Sequence, residues 1–381
     1  MAVHFFNQGT AMNKFAFIVH PLDIRRDIAK KFPIARYMPE SLVSAAMRHV
    51  PPMVVAHLTG IRSITGVETE GWFIACPLSP QQLLTLPVDE VYGRLIQCGN
   101  LAQSLGAGIV GLGALTSVVG DGGITIQRAL DIAVTTGNSY TVATAVEGAR
   151  RGVELMGMSL SKAHVAIVGA AGSIGRTCAT LLEREAARLT LIGRNVNKLM
   201  PVAQALQHQG HAEVTVTDNI DQGLQSADVV VTVTSAVDAV IHPQHLKRGA
   251  VVCDVARPRD VSVRVAQERN DVLIMEGGVV AVPGEMRICK TNGNGTVDKP
   301  QPFSFGFPPG TAYACMSETM MLALDNRFEP FTLGKEVSVA QAEETARMAR
   351  KHGFRLAGFR SFERAVTDED IARVQQAVRR R

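Results

Sequence analysis

The run Val165-Ala166-Ile167-Val168-Gly169-Ala170-Ala171-Gly172-Ser173-Ile174-Gly175-Arg176 constrains this chain most. Four apolar residues predict a buried parallel strand, and residues 177–188 predict a helix after the turn. In the G-x-x-G-x-x-G spacing each glycine has its own task. Gly169 permits the tight turn, Gly172 lets backbone approach a pyrophosphate, and Gly175 lets the helix pack on the strand. The helix start, with Ser173 and Ile174, then offers free N–H groups and a positive dipole end to phosphate oxygens. The strand before and the helix after separate this pattern from a glycine-rich turn in an unrelated α/β domain.

Residues 188–195 read as the next strand and its end. NAD-selective folds place Asp or Glu there, on the ribose 2′-OH. Here Gly193-Arg194-Asn195 occupies the position, with Lys198 one turn on. A carboxylate repels a 2′-phosphate, whereas the forked guanidinium of Arg194 binds one. NADPH is therefore the expected cofactor, with Arg194 and Asn195 at its 2′-phosphate. The alternative for Arg194 is a solvated surface arginine.

Further predicted strands at 214–217, 229–234, 251–255 and 272–275 alternate with helical or loop stretches, as in a doubly wound parallel sheet. Strand ends face the crevice in such folds, so Thr234 and Asp254 are expected on the cofactor side, or as structural hydrogen-bonding groups. At 381 residues the chain suits two domains rather than one core. The predicted architecture is α/β: a Rossmann doubly wound parallel sheet with a second α/β substrate domain. Its expected parts are a leader over 1–12, a substrate domain over 13–158, an NADP-binding domain over 159–310, and C-terminal helices over 311–381 that pack back on the substrate domain. In the first domain, the glycine-dense run 106–117 reads as a buried strand and turn that brings backbone close to something, with a ligand as the candidate. Residues 281–310 read as one long loop, rich in Gly, Asn and Pro.

Aromatic content of 5%, one Trp and a net charge of +4 argue against a nucleic-acid platform. The six cysteines show no C-x-x-C pair and no metal-like spacing with His, so a reducing, cytoplasmic setting without metal or disulfides is expected. No run approaches the ~18–20 apolar residues of a membrane span, and residues 1–12 lack a secretory pattern.

A nicotinamide enzyme needs a carbonyl-type substrate and a group that binds or activates it. Cys315 follows the Pro308-Pro309-Gly310 loop end and falls in the first turn of a predicted helix, where the helix terminus favours a thiolate. Such a thiolate takes an acyl group as an enzyme thioester ready for reduction; the plain alternative is a packed cysteine. Thr116 and Ser117 either donate to an acyl carbonyl oxygen or satisfy backbone. His20 and Cys76 read more simply as a surface histidine and a buried thiol. A shikimate-type Lys–Asp pair is disfavoured, because no lysine stands between Lys31 and Lys162.

Gly113-Ala114-Leu115-Thr116-Ser117, Thr136-Gly137-Asn138-Ser139-Tyr140-Thr141, the glycine turn, Gly193-Arg194-Asn195, Gly277-Gly278-Val279-Val280 and Ala314-Cys315 occur in this order. Together they resemble the cyanobacterial long-chain acyl-[acyl-carrier-protein] reductases, which make fatty aldehydes with NADPH. The segment Trp72-Phe73-Ile74-Ala75-Cys76-Pro77-Leu78 is also similar to that family. The resemblance runs from about Phe15 to about Phe354 and places Cys315 at the family's acylated cysteine. It implies a fatty acyl thioester on acyl carrier protein or coenzyme A as substrate, and an aldehyde-consuming enzyme as a partner. The loop 284–310 and residues 355–381 depart from the family pattern. Two other readings stand beside this one. One is a shikimate- or glutamate-dehydrogenase-like oxidoreductase on a small polar substrate, and the other is a non-catalytic NADP-binding protein.

Overall fold

Residues 164–168, His-Val-Ala-Ile-Val, are buried at every position, the signature of a strand covered on both faces of a parallel sheet. In the computed structural model, residues 12–21, 24–29, 33–290, 298–304, 307–362 and 364–379 are described. Nearly all of the expected leader, the centre of the 281–310 segment (291–297) and Arg380-Arg381 lie outside them.

The first part of the chain runs β1 (Asn13–Val19), α1 (Ile24–Ala29), α2 (Glu40–Met47), β2 (Met53–Arg62), β3 (Glu68–Ala75), α3 (Pro80–Thr85), α4 (Val88–Ser104), β4 (Ile109–Gly111), α5 (Ile124–Arg128) and β5 (Ala133–Thr135). Helix α6 (Asn138–Leu155) leads to β6 (His164–Val168), α7 (Ser173–Glu183), β7 (Arg188–Ile192), α8 (Val196–Gln207), β8 (Glu213–Thr217), α9 (Ile220–Leu224), β9 (Val229–Thr232), β10 (Val251–Asp254), α10 (Val263–Glu268) and β11 (Leu273–Glu276). The remainder is β12 (Val279–Ala281), β13 (Gly284–Lys290), β14 (Gln301–Pro302), β15 (Thr311–Tyr313), α11 (Ala314–Leu324), α12 (Val339–His352), β16 (Arg355–Leu356) and α13 (Asp368–Arg379).

Strands β6 to β11 form a six-stranded, all-parallel sheet in the order β8-β7-β6-β9-β10-β11. This is the Rossmann order, and the strand sequence reverses between β6 and β9, where the glycine turn lies. A second sheet has the order β14-β13-β2-β3-β1-β4-β5, with β1, β3, β4 and β5 parallel and β2, β13 and β14 antiparallel. Helix α11 packs into the core of this second sheet with Phe15, Phe17 and Tyr140.

The chain crosses between the two sheets more often than a serial division allows. The expected long loop at 281–310 contains β13 and β14, which extend the first-domain sheet from β2. A boundary at 310 therefore misplaces them. Burial in β13 falls at Met286 and Cys289, three residues apart, and both residues of β14 are exposed, so the segment lacks the period of two that marks a strand and reads as loop in sequence. Helix α6, expected in the substrate domain, buries Val142, Ala145, Val146, Ala149 and Val153 in the core of the six-stranded sheet. Of the C-terminal helices α11 does pack on the first domain, but α13 contributes Val374 to the six-stranded sheet's core. The glycine-dense run is largely buried, and its glycines make close approaches to side chains: Gly108 faces the Phe328 ring, and Gly111 and Gly113 face Phe17.

The turn itself is as tight as the spacing implies. Gly169 has φ +87°, and a Cβ on Gly175 would lie 2.4 Å from the Gly169 carbonyl oxygen and 2.9 Å from Ala170 Cα. Both obstacles are backbone, so the turn must move to admit a methyl group. Gly175→Ala should lower stability by about 1–3 kcal/mol and weaken NADPH binding. Thermal unfolding and nucleotide titration check this; an unchanged midpoint with unchanged affinity would contradict the packing role.

Candidate active site

Helix α7 begins directly after the glycine turn, and no side chain caps it; its N-cap is Gly172. Its first N–H groups have no acceptor within the helix. An N-terminus left open above a cradle of glycines fits a pyrophosphate. Arg194 and Lys198 stand exposed beyond the end of β7, and neither pairs with a described acidic residue. That edge fits a 2′-phosphate. Asn195, expected at the cofactor, caps α8: its side-chain oxygen accepts from the Lys198 N–H at 3.3 Å.

Thr234 and Asp254 turn out to belong to a loop-holding network. The Thr234 N–H and hydroxyl both donate to Asp260, as does the Thr232 hydroxyl. Asp254 accepts from the N–H groups of Ala256, Asp260 and Val261. Burial pushes Asp254 up to about 6, with neighbouring Asp260 adding to this and Arg257 opposing it. Thr234 and Asp254, expected on the cofactor side or as structural hydrogen-bonding groups, shape the loop 255–261 at the strand ends. That loop presents Arg257, whose Nε donates to the Tyr313 hydroxyl at 3.4 Å and whose guanidinium lies over the Tyr313 ring. Its Nη2 is 3.5 Å from Glu276 Oε2. Asp260 and Arg257 carry no motif that singles them out in the sequence.

Cys315 sits where both sheets present their strand ends. It occupies the first turn of α11, and the Ala314 N–H just before it donates to the Gly278 carbonyl, past the end of β11, at 2.7 Å. From the other side come the turns after β4 and β5. A Cβ on Gly137 (φ +73°) would lie 2.3 Å from Cys315 Cα, and one on Gly113 would lie 3.4 Å from its Sγ. Five of the six cysteines are buried, and Cys315 alone keeps partial exposure. Cys76, the other thiol considered, is fully buried.

The turn 113–117 is strained and locally held. Ala114 adopts φ +49°, a conformation that costs a residue with a Cβ about 1–2 kcal/mol. The Thr116 hydroxyl donates to the Gly113 carbonyl and accepts from the Gly113 N–H, and the Ser117 hydroxyl donates to the Ala114 carbonyl. Both hydroxyl protons are engaged within the turn. The expected acyl-oxygen donors therefore act as holders of the wall beside Cys315.

Sequence reasoning also missed Glu318, one turn after Cys315 and fully buried. Its carboxylate accepts from Thr135 Oγ1 (2.6 Å), the Tyr140 N–H (2.9 Å) and Thr332 Oγ1 (3.1 Å). Helix α6 has a glycine N-cap and no cap of its own, so Glu318 supplies it from another helix. Burial raises the Glu318 carboxyl above the ordinary range.

These surroundings correct the expected thiolate. Burial, joined by the charge of Glu318, pushes the Cys315 thiol from 9.0 up to about 12, although the Met316 N–H and Arg257 pull it down. The neutral thiol is favoured through the physiological range, and thiolate appears only as pH approaches the raised value. Labelling of Cys315 by iodoacetamide, in protein without nucleotide, should rise about tenfold per pH unit from about pH 7 to about pH 10. A plateau near pH 9 would mark an ordinary thiol.

Comparison with known proteins finds the shikimate/quinate 5-dehydrogenase family over residues 151–275, from the last turn of α6 to β11. The chain is 30% identical over 350 residues to the aminotransferase PigE of a Serratia species, covering 90% of this chain and 39% of PigE. It is 24% identical over 355 residues to the long-chain acyl-[acyl-carrier-protein] reductase of Synechococcus elongatus, covering 89% of this chain and 98% of that protein. The chain thus spans about two fifths of PigE and nearly all of the cyanobacterial reductase. Glutamyl-tRNA reductase from Methanopyrus kandleri is similar in structure over 49% of this chain and 46% of its own, at 24% identity and a TM-score of 0.29, a likeness too low to argue from. No helix among the described residues is long and apolar enough to cross a membrane. A Rossmann sheet and an open glycine cradle thus stand in a chain that is similar to NAD(P)-dependent oxidoreductases.

Proposed function

We propose that the protein is an NADPH-dependent reductase that converts a fatty acyl thioester, carried on acyl carrier protein or coenzyme A, to an aldehyde through a thioester on Cys315. The observation that carries this reading is the place of Cys315. The one cysteine of the six whose residue is not fully buried stands between the carboxyl ends of the two sheets, beside the loop that follows β10. In folds of this kind that crevice is where ligands bind.

In the first half-reaction Cys315 Sγ attacks the acyl carbonyl carbon. A C–S bond to Cys315 forms as the bond to the carrier breaks, and the carrier thiol leaves with the proton that Cys315 gave up. Bound NADPH supplies the hydride that reduces the thioester carbon. Cleavage of the Cys315 C–S bond then releases the aldehyde, and Sγ takes up a proton. Arg257 offsets the charge on sulfur in the thiolate stages, against Glu318. Until an acyl group arrives, the raised thiol resists oxidation, because thiolate character sets susceptibility.

Similarity to the acyl-[acyl-carrier-protein] reductase extends across both domains, which supports this substrate class. The PigE match points the same way. An aminotransferase takes a carbonyl compound as amino acceptor, and a reductase-like unit within such a protein would provide one. This supports an aldehyde-consuming enzyme as the partner. The shikimate/quinate match is confined to the nucleotide-binding stretch, so it does not favour a small polar substrate.

Two measurements test the reading. Mixed with acyl thioester and no NADPH, the protein should gain the mass of one acyl group, and NADPH should discharge it as aldehyde. Cys315→Ser should lose most turnover, since a serine hydroxyl lacks the thiolate's nucleophilicity, while NADPH affinity survives. Near-full activity in that variant, or an acyl group mapped to Cys76, Cys98 or Cys289, would overturn the mechanism. As for cofactor choice, NADPH should bind at least about tenfold more tightly than NADH, about 1.4 kcal/mol. Arg194→Ala should remove most of that difference. Equal affinity for both nucleotides in the unaltered protein would refute it.

A further inference from the structure

The segment between α11 and α12 leaves the helix of Cys315 and passes against α7, the helix that follows the glycine turn. It is pinned at both ends. At one end the Thr332 carbonyl accepts from the Thr136 N–H (3.0 Å) and hydroxyl (2.8 Å), and Thr332 Oγ1 donates to Glu318. Between the pins the Gly334 N–H donates to the Gly122 carbonyl at 2.9 Å. At the other end the Val337 carbonyl accepts from the Thr177 hydroxyl of α7 at 2.6 Å, and Val337 is buried in the core of the six-stranded sheet.

These pins hold Lys335 and Glu336 over the first turn of α7. A pocket of about 140 Å³ opens there, lined by Ser173, Arg176, Thr177, Lys335, Glu336 and Val337. Ser173 is the first residue of α7, directly after the glycine turn, so the pocket adjoins the open helix N-terminus. Glu336 is engaged with Arg176 at 3.5 Å. Lys335 is exposed and pairs with no described acidic residue.

We propose that Lys335 is a cofactor-binding residue supplied from outside the Rossmann sheet, its ammonium binding the pyrophosphate of NADPH across the first turn of α7. The glycine turn and the α7 N–H groups offer partial charges and hydrogen bonds to the two phosphates. A lysine adds a full charge, which binds phosphate as a point charge. Glu336 opposes it by placing a carboxylate beside the same phosphates. The assignment concerns the pyrophosphate only and stands apart from the acyl reaction on Cys315.

Binding, rather than turnover, tests it. NADPH and adenosine 2′-monophosphate, which keeps the 2′-phosphate and lacks the pyrophosphate, are titrated into the full chain and its variants. Lys335→Ala should weaken NADPH about tenfold and leave adenosine 2′-monophosphate unchanged. Lys335→Arg should keep most of the NADPH affinity, and Glu336→Gln should raise it. Arg194→Ala provides the contrast, since it should weaken both ligands. The unfolding midpoint of Lys335→Ala without nucleotide should match that of the unaltered protein. NADPH affinity unchanged in Lys335→Ala, or equal losses for the two ligands, would overturn the assignment.

Discussion

Glu318 joins the parts of the molecule that make its active site. Its carboxylate gathers donors from the end of β5, the first turn of α6 and the segment after α11, and it does so one turn away from Cys315. Burying a carboxylate costs free energy unless its oxygens are well supplied with donors. Here burial raises the group, while Thr135, Tyr140 and Thr332 hold it down. Loss of the side chain would orphan buried donors at about 1–3 kcal/mol each. That sum is a large share of a domain's usual stability of about 5–15 kcal/mol. The carboxylate thus fixes both the site's geometry and its electrostatic bias against a thiolate.

The state of that thiolate is decided by magnitudes. A helix N-terminus typically contributes about 0.3–1 kcal/mol to a nearby anion. One unit on the pH scale corresponds to about 1.4 kcal/mol, so the helix end lowers a thiol by less than one unit. Removal of water and the nearby carboxylate move Cys315 the other way, from 9.0 to about 12. Position in a first helical turn is legible in sequence; burial and a carboxylate capping another helix are not. An expectation built on the helix alone therefore has the wrong sign.

The same contrast explains what else was legible. Local patterns were readable: β6 with its glycine turn, the alternating strands of the Rossmann unit, and the absence of a carboxylate after β7. Each depends on neighbours within about twenty residues, as does the dinucleotide fingerprint itself. Contacts across the chain were hidden. Glu318 meets Thr135 and Tyr140 at separations of 183 and 178 residues. Strand β13 finds its partner β2 more than 200 residues earlier, and nothing in its own irregular pattern specifies that pairing. Small polar residues at turns carry two readings in sequence, as ligand groups or as holders of nearby backbone. Thr116, Ser117 and Asn195 satisfy backbone close by, the commoner use of such side chains.

The course of the chain between the sheets bears on how hydride and thioester would meet in the proposed reaction. Strand β12 pairs with β15 immediately before α11, and the Ala314 N–H donates to the Gly278 carbonyl. Cys315 is therefore tied through backbone to the end of β11 in the nucleotide-binding sheet. It is tied to the first sheet by Glu318 and by the close fit of Gly137. The proposed nucleophile, held to both halves in this way, keeps its relation to the strand ends of each. Acyl transfer and reduction each need reacting atoms held within about 3–3.5 Å. In this architecture backbone pairing supplies that restraint ahead of substrate, which leaves substrate binding free to act on the remaining obstacle, the reluctance of Cys315 to give up its proton.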